Sequence, residues 1–218
     1  MADVTQGCCV ITDAANDRCY VCGGEFGRMM GWNRGERQLD SSDEDFIYNR
    51  IHPENLPDKR LLEFEFFKMI DRLPPERKLH LKATSHIRVK DHEDRYVWVD
   101  NTTQVLCLST AGSMWLILCT CDLSDDQSPH QGINPRIKDY LTGEITSLSL
   151  TERKAHILTH REKEILRLIR QGKSSKLIAA SLCISKNTVD RHRQNILQKL
   201  SVSNSFEAIT AAESMGLL

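Results

Sequence analysis

The chain has 218 residues and a formal net charge of -1, long enough for one large domain or two small ones. Its longest strongly apolar run, MWLILC, falls far short of the roughly 20 residues that span a bilayer. No basic segment leads into an apolar one at the start, so neither a membrane helix nor a signal peptide is predicted. A cytoplasmic location is therefore expected, where the eight cysteines stay mostly reduced. Charge is unevenly placed. Residues 151–218 carry 12 Lys and Arg against 6 Asp and Glu, a net of +6, and the 150 residues before them are net -7. A basic end on an acidic body predicts that the end alone meets a polyanion.

In chain order, CCVITD and RCYVC are β-prone runs separated by AAND, a hairpin-like turn. EFGRMMGW reads as a short helix with Phe26, Met29 and Met30 inward. The stretch DEDFIYNRIHPENLPDKRLLEFEFFKMIDRL holds a short helix, the turn HPENLP and a longer helix that Pro74 and Pro75 end. Three strands follow: LHLKATSHIRVK, RYVWVDNTTQVLCLS and SMWLILCTCDLS, joined by DHED and TAG. Two strands, a helical middle and three antiparallel strands define an α+β domain. The motif DLSDD closes the last strand as an exposed loop.

With IHPEN and IRVKDHEDRYVWV in these positions, residues 8–124 resemble a PAS domain. The resemblance implies a five-stranded antiparallel sheet whose concave face is covered by helices. The pocket beneath them holds a small ligand, a cofactor or side chains alone. It also implies dimerisation and the passing of a signal to an attached output domain. The Asn-Cys-Arg-Phe-Leu-like loop of the light-sensing subclass is missing from the sequence, which argues against flavin photochemistry. His52, the only histidine of the helical segment, precedes Pro53 in a turn and reads as a capping residue rather than a heme ligand. No cofactor is identified.

The cysteines invite a zinc or thiol-sensor reading. Cys19 and Cys22 have C-x-x-C spacing, and Cys119 and Cys121 share one face of a strand. With first and last strands adjacent in a PAS sheet, Cys8 or Cys9 would approach that pair. There is no second C-x-x-C, and free cysteines are usually small core residues, so no metal site is expected. A Gly-rich phosphate loop, H-E-x-x-H and G-x-S-x-G are all missing from the sequence. The βα alternation of a phosphoacceptor receiver domain is missing too. The chain is not expected to be an enzyme.

Residues 125–157 read as a linker. The polar stretch SDDQSPHQGINP is a loop. RIKDYLTGEITSLSL forms two short strands around LTGE, with Thr142-Gly143 at the turn. TERKAHI is a short helix leading into the last segment.

The last segment reads as four capped helices. In LTHREKEILRLIRQG, Thr159 and Glu162 form a capping box. Ile165, Leu166, Leu168 and Ile169 make an apolar stripe, and Gly172 supplies the C-cap. Ser174 caps SKLIAASLC, buried through Ile178, Ala179 and Leu182. Ser185 caps KNTVDRHRQNILQKL, and Asn204 with Glu207 starts SFEAITAAESMG. Only CIS separates the second and third helices, which forces a steep crossing, the helix-turn-helix geometry. On a wheel of the third helix, Val189, Ile196 and Leu200 face the core, while Asn187, Asp190, Arg191, Gln194 and Gln198 lie opposite. Lys186, Thr188, Asn195 and Lys199 fall on the flanks. Arg193 turns toward the core and is expected to snorkel or pair with an acid of the first helix.

The stretches LTHREKEIL, GKSSKLIA, LCISKNTVDRHRQNILQKLSV and AAESMGLL make residues 158–218 resemble the LuxR-type (NarL/FixJ-like) DNA-binding domain. The resemblance implies a tetrahelical fold, major-groove reading by the third helix and dimers that often pair through the fourth. By position, Asp190, Arg191 and Gln194 sit where the family contacts bases, and Lys176, Thr188 and Lys199 where it contacts phosphates. With the wheel and the caps, the expected base-reading set is Asn187, Asp190, Arg191 and Gln194. The expected phosphate set is Ser174, Lys176, Ser185, Lys186, Thr188, Asn195 and Lys199. Two departures stand out: the family usually has Lys in place of Asp190 and often Glu in place of Leu177. An acid there could accept from cytosine N4, orient Arg191, pair with Lys186 one turn earlier, or only trim phosphate affinity.

The expectation is a sequence-specific DNA-binding transcriptional regulator acting as a homodimer on double-stranded DNA, with RNA polymerase as a further partner. A competing reading is an interaction protein whose basic domain docks on another protein. A third, weaker one is a thiol or metal enzyme built on the cysteines.

Overall fold

A computed structural model describes residues 7–30, 35–39 and 45–218, with 35–39 described by backbone only. Gly31 and Trp32, at the end of the expected first helix, and Asp43 and Glu44, at the head of the next, lie outside the described residues. Two compact units emerge, Met1–Leu148 and Ser149–Leu218. Among the described residues no helix is long and apolar enough to cross a membrane.

The first unit is α+β. Its elements are β1 (Cys8–Asp13), β2 (Arg18–Gly23), α1 (Glu25–Met29), β3 (Gly35–Leu39), α2 (Asp45–Tyr48), α3 (Leu56–Asp71) and α4 (Pro75–Lys78). These are followed by β4 (Leu81–Lys90), β5 (Tyr96–Leu108), β6 (Met114–Leu123), β7 (Arg136–Asp139) and β8 (Ile145–Ser147). All pair antiparallel in one sheet of order β3-β2-β1-β6-β5-β4-β7-β8. The five central strands follow the PAS-like order, and three strands extend them. β3 adds to β2 at one edge, although GERQL carries no strand-like alternation. The 136–147 hairpin adds to β4 at the other edge, turning through Gly143 at φ 76°. That hairpin therefore belongs to the sheet and not to a free linker. Pro75 opens α4 rather than only ending the long helix, because its fixed φ suits a first helical turn.

Strict alternation in β4 buries Leu81, Ala83, Ser85, Ile87 and Val89 on the face that α3 covers. α3 supplies Leu61, Leu62, Phe66 and Ile70 to that core. Phe26 and Met30 are buried there too, whereas Met29, expected inward, is only half-buried. Cys8, Cys19, Cys119 and Cys121 are buried core residues. On the opposite face the segment after β6 is strapped down. Gln127 exchanges two hydrogen bonds of 2.9 Å with the Trp98 backbone. His86 stacks on Trp98 at 4.6 Å, and His130 meets both rings edge-on.

The second unit is all-α: α5 (Leu150–Ile157), α6 (His160–Arg170), α7 (Ser175–Leu182), α8 (Lys186–Leu200) and α9 (Ser205–Ser214). Each of the last four begins on a side chain that accepts from the helix's own backbone: Thr159, Ser174, Ser185 and Asn204. α6 ends on a Schellman motif. Gly172, at φ 78°, donates to Ile169 and Lys173 donates to Leu168. The core joins Ile165 and Leu166 of α6, Ile178 and Ala179 of α7, Val189, Ile196 and Leu200 of α8, and Ala208 and Ala212 of α9. Leu168, Ile169 and Leu182 are half-buried at its margin.

Candidate nucleic-acid interface

The turn between α7 and α8 takes its shape from Cys183, which closes α7 in the left-handed region at φ 52°. Ile184 then returns a hydrogen bond to Ala179, and Ser185 caps α8 through the Thr188 amide at 3.0 Å. The chain reverses in three residues, and α8 leaves with its first two turns facing outward. Ser185, Lys186, Asn187, Thr188, Arg191 and Gln194 are exposed. Ser174 and Lys176, at the start of α7, are exposed as well. Asp190, Asn195 and Lys199 are half-buried.

Three of the charged groups are engaged inside the unit. Lys186 Nζ donates to Asp190 Oδ2 at 2.7 Å. The Lys186 hydrogen bond is the main cause that holds the Asp190 pKa below the usual carboxylate value. Lys199 Nζ donates to Glu162 Oε2 at 2.7 Å. Lys199 was expected at a phosphate but lies beside a buried acid of α6. Glu162 also accepts from the Thr159 amide at 2.8 Å and the Thr159 hydroxyl at 3.0 Å. Burial by itself would raise the Glu162 pKa; Lys199 and Thr159 outweigh it and hold the group ionised.

Arg193 does turn inward; of the two expectations, snorkelling or pairing with an acid of the first helix, the contacts seen are with neither an acid nor that helix. Its guanidinium reaches Ser175 Oγ at 3.4 Å and Ser205 Oγ at 2.9 Å. Arg193 therefore links α7, α8 and α9 through Ser175 and Ser205. Ser175 and Ser205 were not singled out by sequence. Each is the first residue of its helix, directly after the capping residue, and only the helix crossings bring them to one arginine. Arg161 closes the opposite end of α7 by donating to the Leu182 carbonyl at 3.1 Å.

The interior of the first unit is polar at its centre. Lys59 Nζ pairs with Glu63 Oε1 at 2.9 Å and donates to Thr103 Oγ1 at 3.3 Å. Tyr48 donates to the Glu63 carboxylate at 2.8 Å. Burial opposes the lysine charge, yet Glu63 prevails and the Lys59 pKa is raised. Beside them a register row crosses the sheet from Cys8 through Cys121 and Asn101 to Ser85. Asn101 donates to Cys119 Sγ and Cys121 Sγ at 3.1 and 3.2 Å. Two clefts of about 290 and 420 Å³ open on the other face, around His86 and Asp100. His52 accepts from the Glu54 amide at 3.2 Å, a turn-capping contact. Among the described residues no three His, Cys, Asp or Glu side chains are grouped so as to hold a metal ion.

A helix pair crossing on a three-residue turn, with a capped and polar second helix facing out, is a helix-turn-helix. Residues 156–212 match the family model of bacterial regulatory proteins, luxR family, and the C-terminal unit carries a LuxR-type helix-turn-helix domain. The uncharacterized response regulatory protein YgeK of Escherichia coli is 50% identical over 60 residues, 28% of this chain and 41% of that protein. The CsgBAC operon transcriptional regulatory protein of Escherichia coli is 39% identical over 77 residues, 35% of this chain and 36% of that protein. The chain thus spans about two fifths or less of the curated relatives it matches. A solved VqmA dimer of Vibrio cholerae aligns with 97% of this chain and 83% of its own at 17% identity, with a TM-score of 0.33.

Proposed function

We propose that this protein is a transcription regulator that binds double-stranded DNA in a sequence-specific way through α8, as a homodimer in the cytoplasm. The observation that carries this reading is the outward first half of α8. There Asn187, Arg191 and Gln194 are exposed beside the phosphate-facing set Ser174, Lys176, Ser185, Lys186 and Thr188. Base edges are met by Asn187, Asp190, Arg191 and Gln194, while Asn195 lies toward one backbone. Two copies place their α8 helices in successive major grooves, with half-sites about one helical turn apart. RNA polymerase is the further partner of a bound regulator.

The PAS-like unit supplies the input, by sensing a small molecule or by dimerising. The interior cluster of Lys59, Glu63, Thr103, Asn101 and Ser85 supports a ligand with hydrogen-bonding groups, since buried donors and acceptors favour polar partners. Selection of bound sequences from random duplex DNA tests the output. An enriched, palindromic motif is expected, whereas no enrichment would favour an adaptor docking on another protein. Native mass spectrometry of the purified chain reads the oligomer and any retained molecule together.

A further inference from the structure

We propose that the outer face of the first unit's sheet, between β4, β5, β7 and the segment after β6, binds a small phosphomonoester. Its phosphate lies over Arg136 and Lys138, and its hydroxylated remainder points toward Asp126 and Gln131. The site is separate from the interior cluster around Lys59 and does not depend on DNA binding.

Strand register builds the floor. Thr84 of β4 lies opposite Thr102 of β5 on one side and Arg136 of β7 on the other, and His86 lies opposite Asp100. Residues in such rows share one face of a sheet. The alternation that buries Ala83, Ser85 and Ile87 turns Thr84 and His86 to the outer face. The segment 131–134 forms a wall. Ile133 anchors it, with its side chain buried and its carbonyl accepting from the His86 amide at 2.8 Å. Left-handed backbone at Gly132, φ 67°, and at Asn134, φ 45°, bends the chain around that anchor. Asn134 Oδ1 then accepts from Arg136 Nε at 3.2 Å, which steadies the guanidinium and leaves its Nη groups for a ligand.

Two clefts share this floor. One, of about 290 Å³, is lined by Thr84, Thr102, Arg136 and Lys138. The other, of about 420 Å³, reaches Ser124, Asp126, His130 and Gln131. His86 and Asp100 line both.

Charge and hydrogen-bonding capacity then select the ligand. Arg88 and Lys90, farther along β4, are each paired with an acid. Among the described residues Arg136 and Lys138 have no such partner, and Asp100 is already paired with His86 at 2.9 Å. The first cleft is therefore cationic, although the first 150 residues are net -7. A phosphomonoester carries about -1.5 to -2 charges at pH 7 and three strong acceptor oxygens. Those suit a guanidinium fork, an ammonium and two threonine hydroxyls better than one carboxylate does. His86, only 12% exposed, keeps Nε2 buried with no hydrogen-bond partner. A buried polar atom left so requires a reason, and a hydrogen-bonding ligand group beside it supplies one. The second cleft holds Asp126 and neither lysine nor arginine, so it disfavours a second anion. Its carboxylate, amide and hydroxyl groups suit the hydroxyls of a polyol.

Isothermal titration calorimetry of the full chain with glucose 6-phosphate, inorganic phosphate and glucose, at fixed ionic strength, tests the proposal. Glucose 6-phosphate should bind once per chain, inorganic phosphate about tenfold more weakly, and glucose without measurable heat. Arg136→Gln and Lys138→Gln should each weaken glucose 6-phosphate by about tenfold and leave the melting temperature of the free protein unchanged. Lys90→Gln, on the same strand but paired with Asp94, should leave the affinity as it is. Inorganic phosphate binding as tightly as the ester would overturn the ester and leave the site to the free anion. No heat with either phosphate would overturn the site itself. So would an affinity that Arg136→Gln does not change, or one that Lys90→Gln lowers equally, since binding would then follow general charge.

Discussion

Lys199 of α8 donates to Glu162 of α6 at 2.7 Å, 37 residues away in sequence. The same carboxylate oxygen closes the Thr159 capping box. One buried acid therefore caps a helix and anchors the far end of α8. Glu162→Gln keeps the shape but removes the charge, and should lower the stability of the C-terminal unit by about 1–3 kcal/mol. Thermal unfolding followed by circular dichroism checks it.

The pH dependence of that pair has a defined sign. The folded pKa of Glu162 lies below its ordinary value of 4.5. Its stabilisation is thus fully present above that value and is lost as pH falls through the lower, folded one. Between about pH 5 and about pH 3 the wild-type melting temperature should drop more steeply than that of Glu162→Gln. Parallel slopes would mean that the carboxylate is not ionised in the fold.

Salt dependence separates the two kinds of lysine. Lys176 is exposed at the start of α7, so Lys176→Ala should weaken duplex binding similarly for every sequence and reduce the salt slope by about 1. Lys199 already faces Glu162, and Lys199→Gln should lower the melting temperature while leaving the salt slope near the wild-type value. Titrations at several salt concentrations distinguish them.

Arg191 is exposed on the outward face of α8. Arg191→Ala should cost about 1–3 kcal/mol on the selected site and less on random duplex, with discrimination relaxed at one position. A loss of equal size on both would assign the guanidinium to phosphate instead.

In the first unit the buried Lys59–Glu63 pair should be far less tolerant of single changes than of paired ones. Glu63→Gln leaves the lysine charge buried with Thr103 as its remaining near partner, and should cost about 3–5 kcal/mol. Lys59→Met with Glu63→Leu should cost much less, because neither charge is stranded. Chemical denaturation of the three chains measures the difference.

Much of this was legible in one dimension because its causes are local. A capping box needs only Thr159 and Glu162 three residues apart, and Ser174, Ser185 and Asn204 each cap their own helix. The alternation in LKATSHIRVK is enough to orient β4. Lys59 and Glu63 could have been found by the same means. They fall with Leu62, Phe66 and Ile70 on one helical stripe, so spacing alone places two charges inward.

What a residue meets across the fold was not written in its neighbourhood. The helical wheel turned Arg193 inward, but only the crossing of three helices sets Ser175 and Ser205 before it in place of an acid. The wheel likewise left Lys199 on a flank, and the packing of α8 on α6 carried it to Glu162. GERQL joined the sheet because β2 offers it a row of unpaired backbone groups, and the 136–147 hairpin did the same on β4. Sequence by itself determined the helices, their caps, the strand faces and the basic charge of the last segment, since each depends on spacing within a few residues. Tertiary structure decided which charges are partnered inside and which remain exposed, because that depends on distances between elements far apart along the chain.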